Sequence, residues 1–258
     1  MALHILLFAA VALAGLVAGS AVNVLADRVY DEDAEYPSGR CLACGGSFPI
    51  RRLMPLVGFS GVTRLCQACG KRGSPRSPIC SAALGVIFPL LLGHILAATG
   101  SLRLPVPAVF VIESFGATIL VFIFVVDLEH KLILDVSLFP AVLALILIAA
   151  IFDHRAFAAM LIGLVIYGGL FLLLYGLGYL LYHTEALGFG DVKLAIFIGL
   201  LAGYPSVVQA LVLGGLIGAA VSLLLLGVGV ASRRTFIPYG IFMATGAVLA
   251  LLLTPPFW

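Results

Sequence analysis

Seven apolar segments follow one another between residues 80 and 254, and an eighth fills residues 2–25. Nothing else in the chain constrains its fold so tightly. A bilayer core about 30 Å thick takes about 20 apolar residues per spanning helix. Inside lipid every backbone N–H and C=O must be satisfied within the protein, so such segments form helices. Composition agrees: 63% of the 258 residues are hydrophobic and 10% charged, against ~45–50% and ~25% in an ordinary soluble domain. The expected fold is an all-α polytopic membrane protein. Its segments fall at 2–25, 80–99, 106–126, 133–152, 156–182, 192–203, 206–230 and 236–254. The 192–203 segment is short for a span and runs towards its neighbour through Gly203-Tyr204-Pro205. Eight helices is therefore the reading and seven the alternative.

The distribution of charge orients the chain. Residues 2–25 carry no Lys or Arg, and the first basic residue is Arg28. A secretory signal would place its basic flank before the apolar run, so this segment reads as a first membrane helix with its N-terminus outside. With eight spans, twelve Lys and Arg lie on the cytoplasmic side and two, Arg103 and Arg155, outside. Seven spans would reverse part of that asymmetry, against the positive-inside rule. The net charge of +2 gives no reason to expect a nucleic-acid partner; lipid is the expected surround. Three regions result: a first helix at 1–25, a polar cytoplasmic domain at 26–79, and a membrane domain at 80–258.

The polar domain holds two Cys-x-x-Cys pairs, Cys41/Cys44 and Cys66/Cys69, separated by 21 residues. Four thiolates complete a tetrahedral zinc shell, and paired turns at about this separation are the zinc-ribbon pattern. A structural Zn2+ site is expected, with two disulfides or a redox pair as the alternative. Four cysteines leave no open position for catalysis. Cys80 reads as a small buried apolar residue.

Acidic residues are rare after position 35: Glu113, Asp127, Glu129, Asp135, Asp153, Glu185 and Asp191. Ionisable groups at a membrane boundary are costly and point to function. Asp127 opens the string Asp127-Leu128-Glu129-His130-Lys131-Leu132-Ile133-Leu134-Asp135, and Asp191 closes Gly188-Phe189-Gly190-Asp191, ahead of Val192-Lys193. In the eight-span reading both aspartates lie at the cytoplasmic end of the bundle, able to meet across a cleft. Two carboxyl groups sharing a site cannot both ionise easily, so one serves as general base and the other as general acid. Gly188 and Gly190 would remove bulk and allow unusual backbone angles, leaving room for an extended substrate. Glu129, Asp135 and Lys193 are expected to support the site, and Glu113, within a span, to face the bundle interior.

These pieces together resemble the type IV prepilin leader peptidases, bacterial Gly-x-Gly-Asp membrane aspartic peptidases. Gly19-Ser20…Asn23-Val24 and Arg28, the cysteine pairs, the Asp127 and Asp191 segments and Ile237-Pro238-Tyr239-Gly240 match family motifs in order. The resemblance implies that Asp127 and Asp191 are catalytic. It implies that type IV prepilins and type II secretion pseudopilins are the substrates. It implies cleavage after a glycine at the cytoplasmic side of the inner membrane, releasing a basic leader. N-methylation of the new N-terminus from S-adenosylmethionine is implied as well. Leu134 stands where the family usually has Pro, and Ile241 replaces another Pro. Residues 75–80 lack the family's usual acidic residue, which bears on methylation more than on cleavage. A peptidase without methyltransferase activity is one alternative. An ion-coupled transporter and a non-enzymatic assembly protein are others, and placing the acids at one membrane face rather than the midplane argues against transport.

Overall fold

The computed structural model describes residues 2–26, 44, 68–69, 76–182, 187–230 and 238–258. Among them are eight α-helices and no strand: α1 (Ala2–Ala26), α2 (Arg76–Ala97), α3 (Val106–His130), α4 (Asp135–Phe152), α5 (His154–Tyr182), α6 (Phe189–Ala202), α7 (Ser206–Gly227) and α8 (Gly240–Leu253). Six of these, α1 to α5 and α7, are long and apolar enough to cross a membrane. Helices α6 and α8 have 14 residues each.

Several boundaries differ from the expectation for local reasons. Helix α2 begins at Arg76, inside the stretch read as polar domain, with Pro78 in its first turn where a missing N–H is harmless. Helix α3 runs on to His130, so Asp127 lies within it rather than after it. It ends where Lys131 turns left-handed at φ 54° and donates its N–H to the Asp127 carbonyl, an αL cap made by a residue other than glycine. Helix α6 starts at Phe189, which puts Asp191 in its first turn.

The chain divides into two compact units, residues 1–93 and 94–258. In the first, α1 and α2 meet through small residues. The Ser20 and Ser81 hydroxyls lie 3.1 Å apart, and Asn23 Nδ2 donates to the Gly19 carbonyl at 2.8 Å. The Asn23 bond stays within α1, whereas the hydroxyl contact joins two helices where no water competes.

The second unit is built around α6. Its residues from Val192 to Ala202 are buried, apart from partial exposure at Lys193 and Ile196. Apolar residues on every face mark a helix enclosed by others, which explains how so short a segment can be so hydrophobic. Helix α5 crosses it very closely: a Cβ on Gly199 would stand 2.6 Å from the Gly163 carbonyl oxygen. Large apolar side chains point away from the protein elsewhere, among them Val136 at 86% exposure. In water such surfaces would drive association; in lipid they are ordinary.

Candidate active site

Three helix ends meet around Asp127 and Asp191. Asp127, near the C-terminus of α3, is 5% exposed. Its Oδ2 accepts a hydrogen bond from the Ile241 N–H at 3.1 Å, and the Gly240 amide is also directed at it. These are first-turn amides of α8, whose N-cap residue Tyr239 supplies no side-chain cap. The carboxylate therefore caps a helix from another helix, where unpaired N–H groups and the helix dipole favour negative charge by roughly 0.3–2 kcal/mol. Gly240 makes the approach possible, since a Cβ there would stand 2.6 Å from Asp127 Oδ2.

Asp191 occupies the first turn of α6, and its N–H bonds the Gly188 carbonyl at 3.0 Å. It lies outside the six spanning helices, and its carboxyl is pushed up to about 6, by burial first and by the charge of Asp127 second. The two aspartates therefore act on one another. Beside them stands an aromatic cluster. Tyr239 lies 5.9 Å from Phe171 and 6.2 Å from Phe242, centroid to centroid, and Tyr167 packs on Phe171 at 5.3 Å. Burial and the nearby Asp191 raise the Tyr239 phenol.

The expected role of the two glycines needs correction. Gly188 sits at φ −67°, ψ 135°, an extended conformation open to any residue, and neither Gly188 nor Gly190 has positive φ. What Gly190 gives is space: a Cβ there would meet Ile133 at 3.1 Å.

The supporting residues divide. Lys193 Nζ reaches both oxygens of Asp135, at 2.7 and 2.8 Å, and lies 5.2 Å from the Phe189 ring centroid and 5.9 Å from that of Phe139. The pair ties the start of α6 to the start of α4. Glu129 is exposed and lies 4.0 Å from His130 Nε2, an ion pair only when the imidazole is protonated. Glu113 is buried, as expected. Motif reading passed over Ile133, whose signal was no more than its place in the Asp127 string, and Tyr167, the only tyrosine in the first half of α5.

Of the expected zinc ligands, Cys44 and Cys69 are exposed in turns, and Cys41 and Cys66 lie outside the described residues. Among the described residues no group of three or more His, Cys, Asp or Glu is arranged to hold a metal.

Fold and site define a polytopic membrane protein with paired aspartates at the N-termini of two short helices. Residues 114–223, which include both aspartates, match the Type IV leader peptidase family, and residues 13–95 match the Bacterial Peptidase A24 N-terminal domain. The chain belongs to the type IV leader peptidase family. It is similar to proteins named Prepilin leader peptidase/N-methyltransferase in several bacteria. The relative from Myxococcus xanthus (strain DK1622) is 29% identical over 223 residues, which is 86% of this chain and 64% of the relative. That from Klebsiella pneumoniae is 29% identical over 209 residues, 78% of this chain and 87% of the relative. That from Pseudomonas aeruginosa is 25% identical over 223 residues, 84% and 71% of the two chains. This chain thus spans less than two thirds of the Myxococcus protein's length. No solved structure matches it.

Proposed function

We propose that this protein cleaves the leader from type IV prepilins and type II secretion pseudopilins by aspartic hydrolysis, then methylates the amine it frees. The observation that carries the cleavage reading is the mutual placement of the dyad: Asp127 on the amides of α8 and Asp191, in the first turn of α6, feeling its charge. One ionised carboxylate takes a proton from water as the oxygen adds to the scissile carbonyl carbon. The other, protonated, carboxyl gives its proton to the carbonyl oxygen. The tetrahedral adduct collapses with loss of the C–N bond, the departing nitrogen takes a proton, and acid and amine result.

We assign Asp127 and Asp191 as the catalytic pair. Gly188 leaves room for substrate, Gly190 lets Ile133 pack against the turn, and Lys193 and Asp135 position α6. Glu129 stands at the same rim. The eight helices are read as lying in the inner membrane, with the dyad and the cysteine domain towards the cytoplasm, where a basic leader would remain.

The relatives' name couples peptidase to N-methyltransferase, which makes S-adenosylmethionine the implied methyl donor. Nothing among the described residues marks its seat, and no step is derived through it. Four cysteine thiolates suit a closed structural zinc shell, and Cys41, Cys44, Cys66 and Cys69 would supply them. Zinc there would order the domain and take no part in hydrolysis.

The test is mass spectrometry of a prepilin co-expressed with the wild-type chain. Cleavage after the leader glycine, with a further mass increment of one methyl, is the expected result. An uncut prepilin refutes the peptidase reading; a cut but unmethylated one removes only the second activity.

A further inference from the structure

We propose that Ile133 determines which residue can precede the scissile bond. The inference rests on the peptidase reading above. Ile133 lies in the turn between α3 and α4, and its side chain touches both backbones that flank the dyad. A Cβ on Gly190 would stand 3.1 Å from Ile133 Cβ and 3.4 Å from its Cγ1 and Cδ1. A Cβ on Gly240 would stand 3.5 Å from Ile133 Cδ1 and 3.1 Å from Asp127 Cγ. Gly190 precedes Asp191, and Gly240 carries an amide aimed at Asp127. A carbonyl carbon that reaches both carboxyl groups therefore passes beside Ile133.

This wall is not easily moved. Isoleucine is branched at Cβ and stiff at χ1. Its turn is fixed at one end by the Lys131 N–H on the Asp127 carbonyl at 3.0 Å. At the other end Asp135 is clasped by Lys193 at 2.7 Å. The protein's own two residues against Ile133 are already glycines, so little volume is left for a third neighbour. A substrate residue carrying a Cβ meets the wall, and glycine does not. Exclusion by clash is a way to discriminate substrates that needs no added attraction for the preferred one. The family resemblance implies cleavage after glycine; Ile133 is the residue of this chain that enforces it.

The experiment measures kcat/KM of the full chain in detergent on two prepilins that differ only in Gly or Ala before the cut. Wild type is expected to favour glycine by at least about tenfold, the scale on which a packed pocket discriminates one methyl group. Ile133→Ala should lower that ratio about tenfold, chiefly by gaining on the alanine substrate, and Ile133→Val should shift it less in the same direction. An unchanged ratio in Ile133→Ala, whether both rates fall together or neither moves, overturns the inference and leaves Ile133 a spacer. Should Ile133→Ala lose its thermal unfolding transition, the ratio in Ile133→Val decides alone. A wild-type protein that cleaves neither substrate overturns the peptidase reading and this inference with it.

Discussion

The helical bundle of residues 94–258 buries carboxyl groups at both ends, and the two ends treat them differently. Asp127 and Glu113 stand on the same helix, 14 residues apart, which is about 21 Å along its axis. Asp127 receives backbone amides and has a second carboxyl for a neighbour. Glu113 is 2% exposed and its Oε2 has no hydrogen-bond partner among the described residues. It faces a cavity of about 10 Å³ that also touches Ser206, Thr254 and Phe257, about the room one water needs. Burial alone does not make a catalytic acid. The dyad end adds donors aimed at a carboxylate, a second carboxyl beside the first, and glycines against which Ile133 and Asp127 pack.

The comparison breaks most visibly if either aspartate is neutralised. Asp127→Asn and Asp191→Asn should each lower prepilin cleavage by at least about a thousandfold, within the range of general acid–base catalysis, while the protein still inserts. Processing at the wild-type rate in either variant would remove the dyad from the mechanism. The pH profile tests the same pair. If Asp191 provides the proton, kcat/KM falls as pH rises past about 6, where its raised carboxyl ionises. A profile flat from pH 5 to 8 would contradict that assignment.

Gly240→Ala comes next. The added Cβ would press on Asp127 Oδ2, with α8 backbone behind it, so the carboxyl must shift. Misplacement of a reacting group by about 1 Å costs about a hundredfold. That loss is expected in kcat with the melting temperature in detergent changed far less. Equal losses of activity and folded protein would make Gly240 a packing residue only.

A smaller effect attends the clasp at the rim. Asp135 is 47% exposed and Lys193 26%, so the pair adds only ~0–1 kcal/mol to stability. Its use is to hold the first turn of α6 beside α4. Asp135→Asn should reduce cleavage several-fold, and the double exchange Asp135→Lys with Lys193→Asp should recover part of it. If the exchange behaves as the sum of two losses, the residues act separately.

These contrasts show which parts of the molecule were legible in sequence. Apolar segment length gave the eight helices found among the described residues, with boundaries off by a few residues, although only six are long and apolar enough to cross a membrane. Asp127 and Asp191 stood out because charge is scarce in such a chain. What sequence could not supply was relation between distant segments: that Asp127 caps α8, that Ile133 packs against both Gly190 and Gly240, or that Lys193 takes Asp135 rather than Asp191. The glycines of the Gly188-Phe189-Gly190 turn were expected both to remove bulk and to free the backbone; neither has positive φ, and Gly190 removes bulk opposite Ile133, a neighbour that the motif does not reveal. Sequence placed Glu113 inside the bundle and apart from the dyad, but not the small cavity that it faces.

Glu113→Gln therefore isolates what burial contributes without catalysis. Glutamine keeps the length and hydrogen-bonding capacity of a carboxyl group in a cavity of about 10 Å³, and it lies about 21 Å along α3 from Asp127. Cleavage should stay within about twofold of wild type, and stability should change by no more than ~1 kcal/mol, as for most substitutions outside the severe classes. Glu113→Ala, which leaves a larger void, should lower the melting temperature instead, by the cavity effect expected of a truncated buried side chain. A Glu113→Gln variant that folds normally yet fails to cleave would show that the two ends are coupled. The dyad could then no longer be treated as the whole of the acid–base machinery.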